Sequence, residues 1–342
     1  MEVAVDIILG DCREELKKLP SDSVDLIFTS PPYADRRKDT YGGIDPDRYV
    51  EWFLPISLEL KRVLKESGTF VLNIKKKAEN GQRHTYVIEL ILQMKQQGWL
   101  WTEEFVWHKK NSYPGKWPNR FRDAWERLLQ FNKSRRFKMF QEEVMVPMGQ
   151  WAEARLKRLS DTDKTRDVSK VGSGFGKNIS NWLQRDMAYP TNVIHLATEC
   201  NNKNHSAAFP ESLPEWFIKL FTEVNDTVLD PFMGSGTTIK VARKMMRNSI
   251  GIEILPRYYE MVREDLDKDS KLNHQLLPQK ALPISRISCA PSPVKHIFSV
   301  EPSAFSISTT HRAGEIIRPK PISINGVSTS DCLRLTFSLN FA

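Results

Sequence analysis

A run of eight residues, SVDLIFTS from Ser23 to Ser30, limits most strongly what this chain can fold into. Its apolar side chains fall on both faces of an extended backbone, which is typical of a strand at the centre of a parallel sheet covered on both sides. Pro31 and Pro32 follow directly and have no N–H group to donate to a neighbouring strand. We therefore expect the strand to end there and to place Ser30 at an edge of the sheet.

Strand-like and helix-like segments alternate along most of the chain. Apolar runs typical of strands occur at 5–11, 23–30, 68–74, 226–232 and 249–254. Segments with apolar residues at helical spacing occur at 12–20, 45–68, 84–99, 210–224, 236–248 and 256–268. Gly68 and Gly98 are the predicted ends of two of these helices. This order predicts a doubly wound, Rossmann-like α/β sheet.

The alternation breaks between 109 and 191, where the sequence is polar and basic but keeps Trp, Phe and Leu residues. We interpret this stretch as an insertion within one α/β domain, although 101–109 and 125–133 have the pattern of a strand pair. The predicted division of the chain is 1–108, 109–191, 192–275 and 276–342. The last segment is rich in Ser, Pro and Ile and is predicted to be a disordered tail, with a small β element as the alternative.

Composition narrows the class of protein. The 342 residues carry a formal net charge of +8 and give a pI of about 9.2, which favours a polyanionic partner. The sequence has no apolar stretch of roughly 18 residues, the length that would predict a membrane span. The N-terminus lacks the pattern of a signal peptide, so we expect a cytoplasmic protein. The four cysteines lack the spacing of metal ligands, and we expect neither a metal site nor a disulfide framework.

The segment TVLDPFMGSGTT at 227–238 combines a strand, a glycine-rich turn and the start of a helix. It is neither a Walker loop nor the dinucleotide fingerprint, so alone it predicts only a tight turn. Gly234 and Gly236 allow a ligand to approach the backbone, and free N–H groups at the helix start suit an anion. Glu253 ends the next strand, where an acid can accept both hydroxyls of a ribose. The pattern predicts a nucleoside-cofactor site, with Asp230 binding an ammonium group or bracing the loop.

The motifs DPFMGSGTT and GIEI, together with TSPPY preceded by GDC, resemble those of the amino-methylating DNA methyltransferases. The catalytic motif comes before the cofactor loop, as in the circularly permuted β class of that family, and the resemblance extends over 5–267. It implies S-adenosyl-L-methionine as cofactor, double-stranded DNA as partner and target recognition by 109–191. The cofactor-binding residues that it implies are Asp11, Thr29, Phe209, Pro210, Asp230, Pro231, Phe232, Gly234, Ser235, Gly236, Thr237 and Glu253. Among them, Asp11 would meet the adenine ring, and Phe209 and Pro210 the methionine end.

The predicted catalytic residues are Ser30, Pro31, Pro32 and Tyr33. An exocyclic amino group is a weak nucleophile because its lone pair is delocalised into the base, and acceptors for its hydrogens favour the change toward sp³. The Ser30 hydroxyl and the Pro31 carbonyl are the candidate acceptors, and Tyr33 would stack on a base flipped out of the duplex. Family members with Ser in this position mostly methylate cytosine N4, so the resemblance implies that product. Adenine N6 methylation is one alternative, and a DNA-binding protein without catalysis is another.

Residues 109–138 contain ten Lys and Arg residues and two acids, with aromatic residues between them. Such a cluster is typical of phosphate binding, although each residue alone is better explained as part of a solvated surface. The predicted DNA-binding residues are Lys109, Lys110, Lys116, Arg120 and Arg122. The stretch 160–186 is predicted equally well as a recognition loop or as a flexible one. From the resemblance we also expect a restriction–modification setting, in which an endonuclease acts on the same site, and a monomer or homodimer.

Overall fold

The computed structural model describes residues 3–34, 43–79, 81–112, 115–116, 118–149, 186–199 and 209–276, with single positions at 154 and 158. The chain divides into two units, Met1–Lys280 and Ala281–Ala342. The second unit lies wholly outside the described residues, as does nearly all of the predicted tail at 276–342. No helix in the described ranges is long and apolar enough to cross a membrane.

An eight-stranded sheet forms the centre of the first unit. Its strands, in chain order, are β1 (Val5–Leu9), β2 (Val24–Thr29), β3 (Leu64–Ile74), β6 (Leu100–Lys109), β7 (Trp125–Asn132), β10 (Val193–Leu196), β11 (Thr227–Asp230) and β12 (Asn248–Glu253). Their spatial order is β1-β12-β11-β2-β3-β7-β6-β10. All neighbours pair in parallel except β7, which runs antiparallel to both β3 and β6. Two short pairs complete the β-structure of the described residues, β4 (Ala78–Glu79) with β5 (Gln82–Arg83) and β8 (Val146–Pro147) with β9 (Met187–Ala188).

Six α-helices are described, and they pack on both faces of the sheet. They are α1 (Cys12–Lys18), α2 (Tyr49–Val63), α3 (Tyr86–Gln96), α4 (Ser212–Phe221), α5 (Thr237–Lys244) and α6 (Pro256–Leu276). Helices α1, α2 and α3 share one apolar cluster, while α4 and α5 share another on the opposite face. Single helical turns at Pro46–Arg48 and Gln141–Val144 precede α2 and β8.

Strand β2 explains why both faces must be covered. All six of its residues are buried. Ile27 packs into the cluster beneath α1 and α2, whereas Leu26 and Phe28 pack into the cluster beneath α4, because successive side chains of a strand point to opposite faces. The doubly wound α/β sheet predicted from the apolar runs is therefore confirmed, and the predicted strand pair at 101–109 and 125–133 is present as β6 and β7.

The predicted helix end at Gly68 is wrong. Helix α2 ends at Val63, β3 begins at Leu64, and Gly68 lies inside that strand. The pairing of β2 with β3 shifts register here, and a Cβ atom at Gly68 would meet the backbone oxygen of Asp25 at 2.9 Å. The glycine therefore permits a close approach of two strands, a use that its local sequence does not distinguish from a helix stop.

The range 109–191, predicted as an inserted region, shares a strand with the central sheet. Residues 125–132 form β7, between β3 and β6. About half of the remainder of this range, including almost all of the Gly/Ser/Lys-rich stretch at 160–186, lies outside the described residues. The division into domains stays a prediction.

Candidate active site

A cavity of about 850 Å³ opens at the edge of the sheet where the parallel strands end. Strands β2, β11 and β12 deliver the residues at and after their last positions, and β7 contributes a residue near its first position because it runs in the opposite direction. Ligands of open α/β sheets bind at this edge. Twelve of the predicted catalytic and cofactor-binding residues line the cavity, namely Asp11, Ser30, Pro31, Pro32, Tyr33, Phe209, Pro231, Phe232, Gly234, Ser235, Thr237 and Glu253.

Other predicted residues lie outside the cavity lining. Among the cofactor-binding candidates these are Thr29, Pro210, Asp230 and Gly236. Among the DNA-binding candidates, Lys109 and Arg120 line the cavity, whereas Lys110, Lys116 and Arg122 are exposed at other positions. The structure therefore brings together most of both predicted motifs and separates three of the basic residues from them.

Asp230, the last residue of β11, holds the glycine loop by hydrogen bonds. Its carboxylate accepts hydrogen bonds from the hydroxyls of Thr29, at 2.6 Å, and Thr238, at 2.8 Å, and from the backbone N–H of Phe232, at 3.1 Å. Burial raises the pKa of Asp230 to about 6, against the opposing effect of these three donors. Asp230 thus ties the end of β2 to the loop and to α5. These contacts fit the prediction that it braces the loop, the alternative being that it binds an ammonium group.

The glycine loop depends on backbone conformations that favour glycine. Gly234 and Gly236 have φ angles of 54° and 74°. The Glu253 carboxylate accepts the backbone N–H of Gly234 at 2.8 Å and that of Leu255 at 2.9 Å, and burial raises the pKa of this group. An acid at the end of β12 therefore holds the loop in place and keeps further lone pairs on the cavity wall.

Replacing Gly236 by alanine should lower the free energy of unfolding by about 2–4 kcal/mol, because the left-handed φ and an overpacked contact both oppose a Cβ atom. That atom would meet both Cγ atoms of Val262 at 2.8 Å. Urea unfolding at constant m-value measures the loss. Gly149→Ala is the matched control, since a Cβ atom there meets nothing within 4 Å. Equal stability of the two variants would contradict this account of the loop.

Asp11 also lines the cavity, at the start of α1. Its side chain accepts the backbone N–H of Arg13 at 2.9 Å and so caps the helix. The hydrogen bonds from Arg13 are the main cause that holds the pKa of Asp11 below its usual range. Arg13 also lines the cavity, which the sequence patterns did not indicate.

The catalytic motif is held by one internal hydrogen bond and by hydrogen bonds to two other elements, β7 and α2. The Ser30 hydroxyl donates to the Tyr33 hydroxyl at 3.3 Å, and Tyr33 donates to Glu126 Oε2 at 2.8 Å. Glu126 Oε1 is 2.6 Å from Lys109 Nζ. The Tyr49 hydroxyl donates to the carbonyl of Pro32 at 3.1 Å, which anchors the proline pair to α2. The motif is therefore a part of the cavity wall that is tied to both β7 and α2.

Several lining residues were missed by the sequence patterns. Trp52 is one of them, and it forms an aromatic wall with the predicted residue Phe232, with ring centroids 5.8 Å apart. Asn73 is 1% exposed, and its Oδ1 atom has no hydrogen-bond partner among the described residues. Lys75, Lys76 and Lys77 follow the end of β3, where a basic run after an apolar strand is a usable signal. Glu126 had the weaker signal of one acid near the start of an apolar strand.

The loop before β7, residues 110–124, forms a rim of the large cavity, which Arg120 and Asp123 of this loop line, and it carries basic and aromatic side chains. Lys116, Arg120 and Arg122 line a second, smaller cavity of about 560 Å³ together with Phe121. Phe121 is 93% exposed, far more than any other large apolar side chain of the described residues. Such exposure is typical of a surface that contacts a partner. Within the described ranges, no group of three or more His, Cys, Asp and Glu side chains is arranged to hold a metal ion.

Comparison with protein families identifies one match that covers most of the chain. The profile of a family described as DNA methylase matches residues 24–264. The Type II methyltransferase M.PvuII of Proteus hauseri is 31% identical over 273 residues, which cover 73% of this chain and 80% of that protein. M.HinfI of Haemophilus influenzae is 30% identical over 76% of this chain and 67% of its own length.

Solved structures give a matching result. The structure titled PvuII DNA methyltransferase (cytosine-N4-specific) superposes with a TM-score of 0.59 and 25% identity, over 80% of this chain and 93% of that one. A protein of Thermus thermophilus, solved in complex with S-adenosyl-L-methionine, superposes with a TM-score of 0.51 and 23% identity, over 78% and 94% of the two chains. The second likeness concerns the fold alone.

Proposed function

The chain belongs to the DNA methylase family, and from this premise we propose that it transfers a methyl group from S-adenosyl-L-methionine to the N4 amino group of a cytosine flipped out of double-stranded DNA. One observation carries the proposal. The SPPY motif and the glycine loop with Glu253 come from distant parts of the chain and line one cavity. A methyl donor held at the loop would therefore lie beside a base held at Ser30.

The residues present fit the proposed cofactor. A volume of about 850 Å³ lies within the range of about 300–1,000 Å³ that is usual for ligand pockets. Glu253 can accept the two hydroxyls of a ribose, and Phe232 and Trp52 offer apolar surface for an adenine ring. Ser235 and Thr237 stand at the start of α5, where a carboxylate is favoured. We propose that Asp11 meets the adenine amino group, and that Phe209 contacts the methionine end.

In the proposed reaction, bound S-adenosyl-L-methionine supplies an electrophilic methyl group on its sulfonium. The amino nitrogen would form a bond to the methyl carbon as the bond from carbon to sulfur breaks, sulfur would keep the electron pair, and the nitrogen would then lose one proton to water. Ser30 and the carbonyl of Pro31 accept the hydrogens of the amino group as it becomes nucleophilic. Tyr33 bears against the face of the base, and aromatic stacking recovers about 1–3 kcal/mol of the cost of flipping it. Asn73 Oδ1 offers a further buried acceptor to a bound base.

Cytosine is proposed as the target base on two grounds. Ser30 occupies the first position of the motif. Of the two relatives compared above, M.PvuII has the higher identity, and its solved structure is described as cytosine-N4-specific. Incubation of the purified protein with DNA and labelled S-adenosyl-L-methionine, followed by hydrolysis to nucleosides, tests this. Labelled N4-methylcytosine is expected. Labelled N6-methyladenine alone would establish the adenine alternative, and DNA binding without any methyl transfer would establish the non-catalytic one.

The DNA is proposed to approach over the rim formed by the loop before β7. Lys110, Lys116 and Arg122 are exposed there, and the chain as a whole is basic. We propose that 109–191 carries target recognition, that the chain has the permuted order of the β class, and that methylation protects host DNA from an endonuclease. The last point is supported by the likeness to M.PvuII and M.HinfI, which are both named as Type II methyltransferases.

Replacing Arg122 by glutamine should weaken DNA binding about equally for all sequences and reduce the slope of log K against log salt by about one. Arg122 is exposed, and its only described hydrogen bond is to the backbone oxygen of Ser112 at 3.3 Å. Fluorescence anisotropy between low and physiological salt measures the slope. Lys95→Gln is the matched control, because Lys95 is exposed near the end of α3, which precedes the opposite end of β6. An unchanged slope for Arg122→Gln would remove this residue from the interface.

A further inference from the structure

A buried carboxylate adjoins the catalytic motif and has no role in the reaction as described so far. Glu126 is the second residue of β7, is 5% exposed and lines the cavity. One of its oxygens pairs with Lys109 Nζ at 2.6 Å, and the other accepts the Tyr33 hydroxyl at 2.8 Å. Because burying a charge is costly unless it is paired and hydrogen-bonded, these two contacts compensate for the burial of the carboxylate.

Glu126 determines the direction of the hydrogen bonds that lead to Ser30. A carboxylate paired with an ammonium group can only accept, so Tyr33 donates its single hydroxyl hydrogen to Glu126. Burial, together with the nearby Glu126 charge, raises the pKa of Tyr33 well above its usual range and keeps that hydrogen in place. The Tyr33 oxygen is then left to accept, and Ser30 donates to it at 3.3 Å. The only hydroxyl hydrogen of Ser30 is therefore engaged, and its lone pairs remain.

We propose that Glu126, held by Lys109, is a positioning residue that orients the chain of Tyr33 and Ser30 so that Ser30 offers lone pairs to the target amino group. This inference rests on the proposed function. The direction matters because a Ser30 hydrogen turned toward the amino nitrogen would bind the electron pair that must attack the methyl group. With this direction, Ser30 can only accept from the amino group, which is what the attack requires.

The replacement Glu126→Gln tests the direction without changing the shape of the side chain. The Lys109 ammonium attracts the amide oxygen, so the amide N–H₂ group turns to Tyr33 and reverses the hydrogen bonds as far as Ser30. We expect kcat to fall about 30- to 100-fold. This is less than the fall expected when a group that contacts the transition state is removed, because Ser30 itself stays in place. The Kd values for S-adenosyl-L-methionine and for DNA should stay within about threefold, because neither ligand needs that direction in order to bind.

A double variant separates direction from packing. In Lys109→Met, Glu126→Gln the ammonium is gone, and the amide can turn its oxygen back to Tyr33. We expect this variant to be at least about fivefold faster than Glu126→Gln alone, a recovery that lost packing would not produce. The matched control is Glu104→Gln, since Glu104 pairs with Arg127 across β6 and β7 at 2.9 Å but does not line the cavity. Its kcat should stay within about twofold of the original, as usual for a partly exposed pair.

Several outcomes would overturn the inference. One is a Glu126→Gln variant as fast as the original protein, and another is a double variant no faster than Glu126→Gln. The third is a parallel rise in the Kd values for S-adenosyl-L-methionine and for DNA, which would mark Glu126 as a structural residue. In each case the original protein still methylates DNA, so the proposed function stands. An original protein that binds S-adenosyl-L-methionine but transfers no methyl group would overturn the proposed function and this inference together.

Discussion

Replacing Ser30 by alanine is expected to lower kcat for methyl transfer about 100- to 1,000-fold, the usual effect of removing one oriented group that acts on a developing transition state. Ser30 stands directly after β2 and lines the cavity, and its hydroxyl has one described partner, Tyr33. The amino group would lose an acceptor just as its nitrogen changes geometry. Methyl transfer in a single turnover, with labelled cofactor and saturating DNA, measures the chemical step separately from product release.

Binding should be almost unaffected by the loss of this hydroxyl. The Kd for S-adenosyl-L-methionine is expected to stay within about threefold, because the proposed cofactor contacts come from the glycine loop and Glu253. Ser23→Ala is the matched control, since Ser23 precedes the same strand at its other end and its hydroxyl donates to the backbone oxygen of Pro20. A Ser30→Ala variant with an unchanged single-turnover rate would remove Ser30 from the mechanism.

Replacing Glu253 by alanine should raise the Kd for S-adenosyl-L-methionine about 100-fold or more, because each hydrogen bond to a charged group contributes about 1.5–3 kcal/mol and two ribose hydroxyls are involved. The same carboxylate holds the backbone N–H groups of Gly234 and Leu255. The loop would therefore lose its brace together with its ligand contacts. Isothermal titration calorimetry without DNA measures the change.

A second variant separates ligand contact from loop support at Glu253. Glu253→Gln keeps the size of the side chain and one acceptor oxygen, so its Kd should lie between those of the original protein and Glu253→Ala. Glu260→Gln is the control, because Glu260 is partly exposed on α6 and pairs with Arg263. If both Glu253 variants unfold at the urea concentration of the original protein and bind S-adenosyl-L-methionine equally well, Glu253 has no part in the cofactor site.

Much of the fold could be predicted because the spacing of apolar residues within each segment indicates which of its faces is buried. Strand β2 is apolar on both faces, and a strand of that kind is stable only between two layers of helices. The amphipathic segments supply those layers on either face. Gly68 is an exception, since a glycine near the end of a helical pattern has the same local signature whether it ends a helix or lets two strands approach.

The candidate site was predicted only in part, for a related reason. Residues that follow parallel strands can be assigned to one edge of the sheet, and Ser30, Gly234 and Glu253 do line one cavity at that edge. The cavity wall also contains Trp52, from a helix, and Asn73, from inside β3. Neither has a local pattern that separates it from an ordinary core residue.

The sequence by itself determined the layered α/β architecture and the edge at which the chemistry lies, because hydrophobic periodicity and strand direction are local properties. Only the tertiary structure decided which side chains become partners. Tyr33 meets Glu126, 93 positions away, and Thr29 meets Asp230, 201 positions away. Those contacts depend on the insertion of β7 between β3 and β6 and on the register of β2 beside β11. Register and strand order arise from packing across the whole sheet, which no single segment encodes.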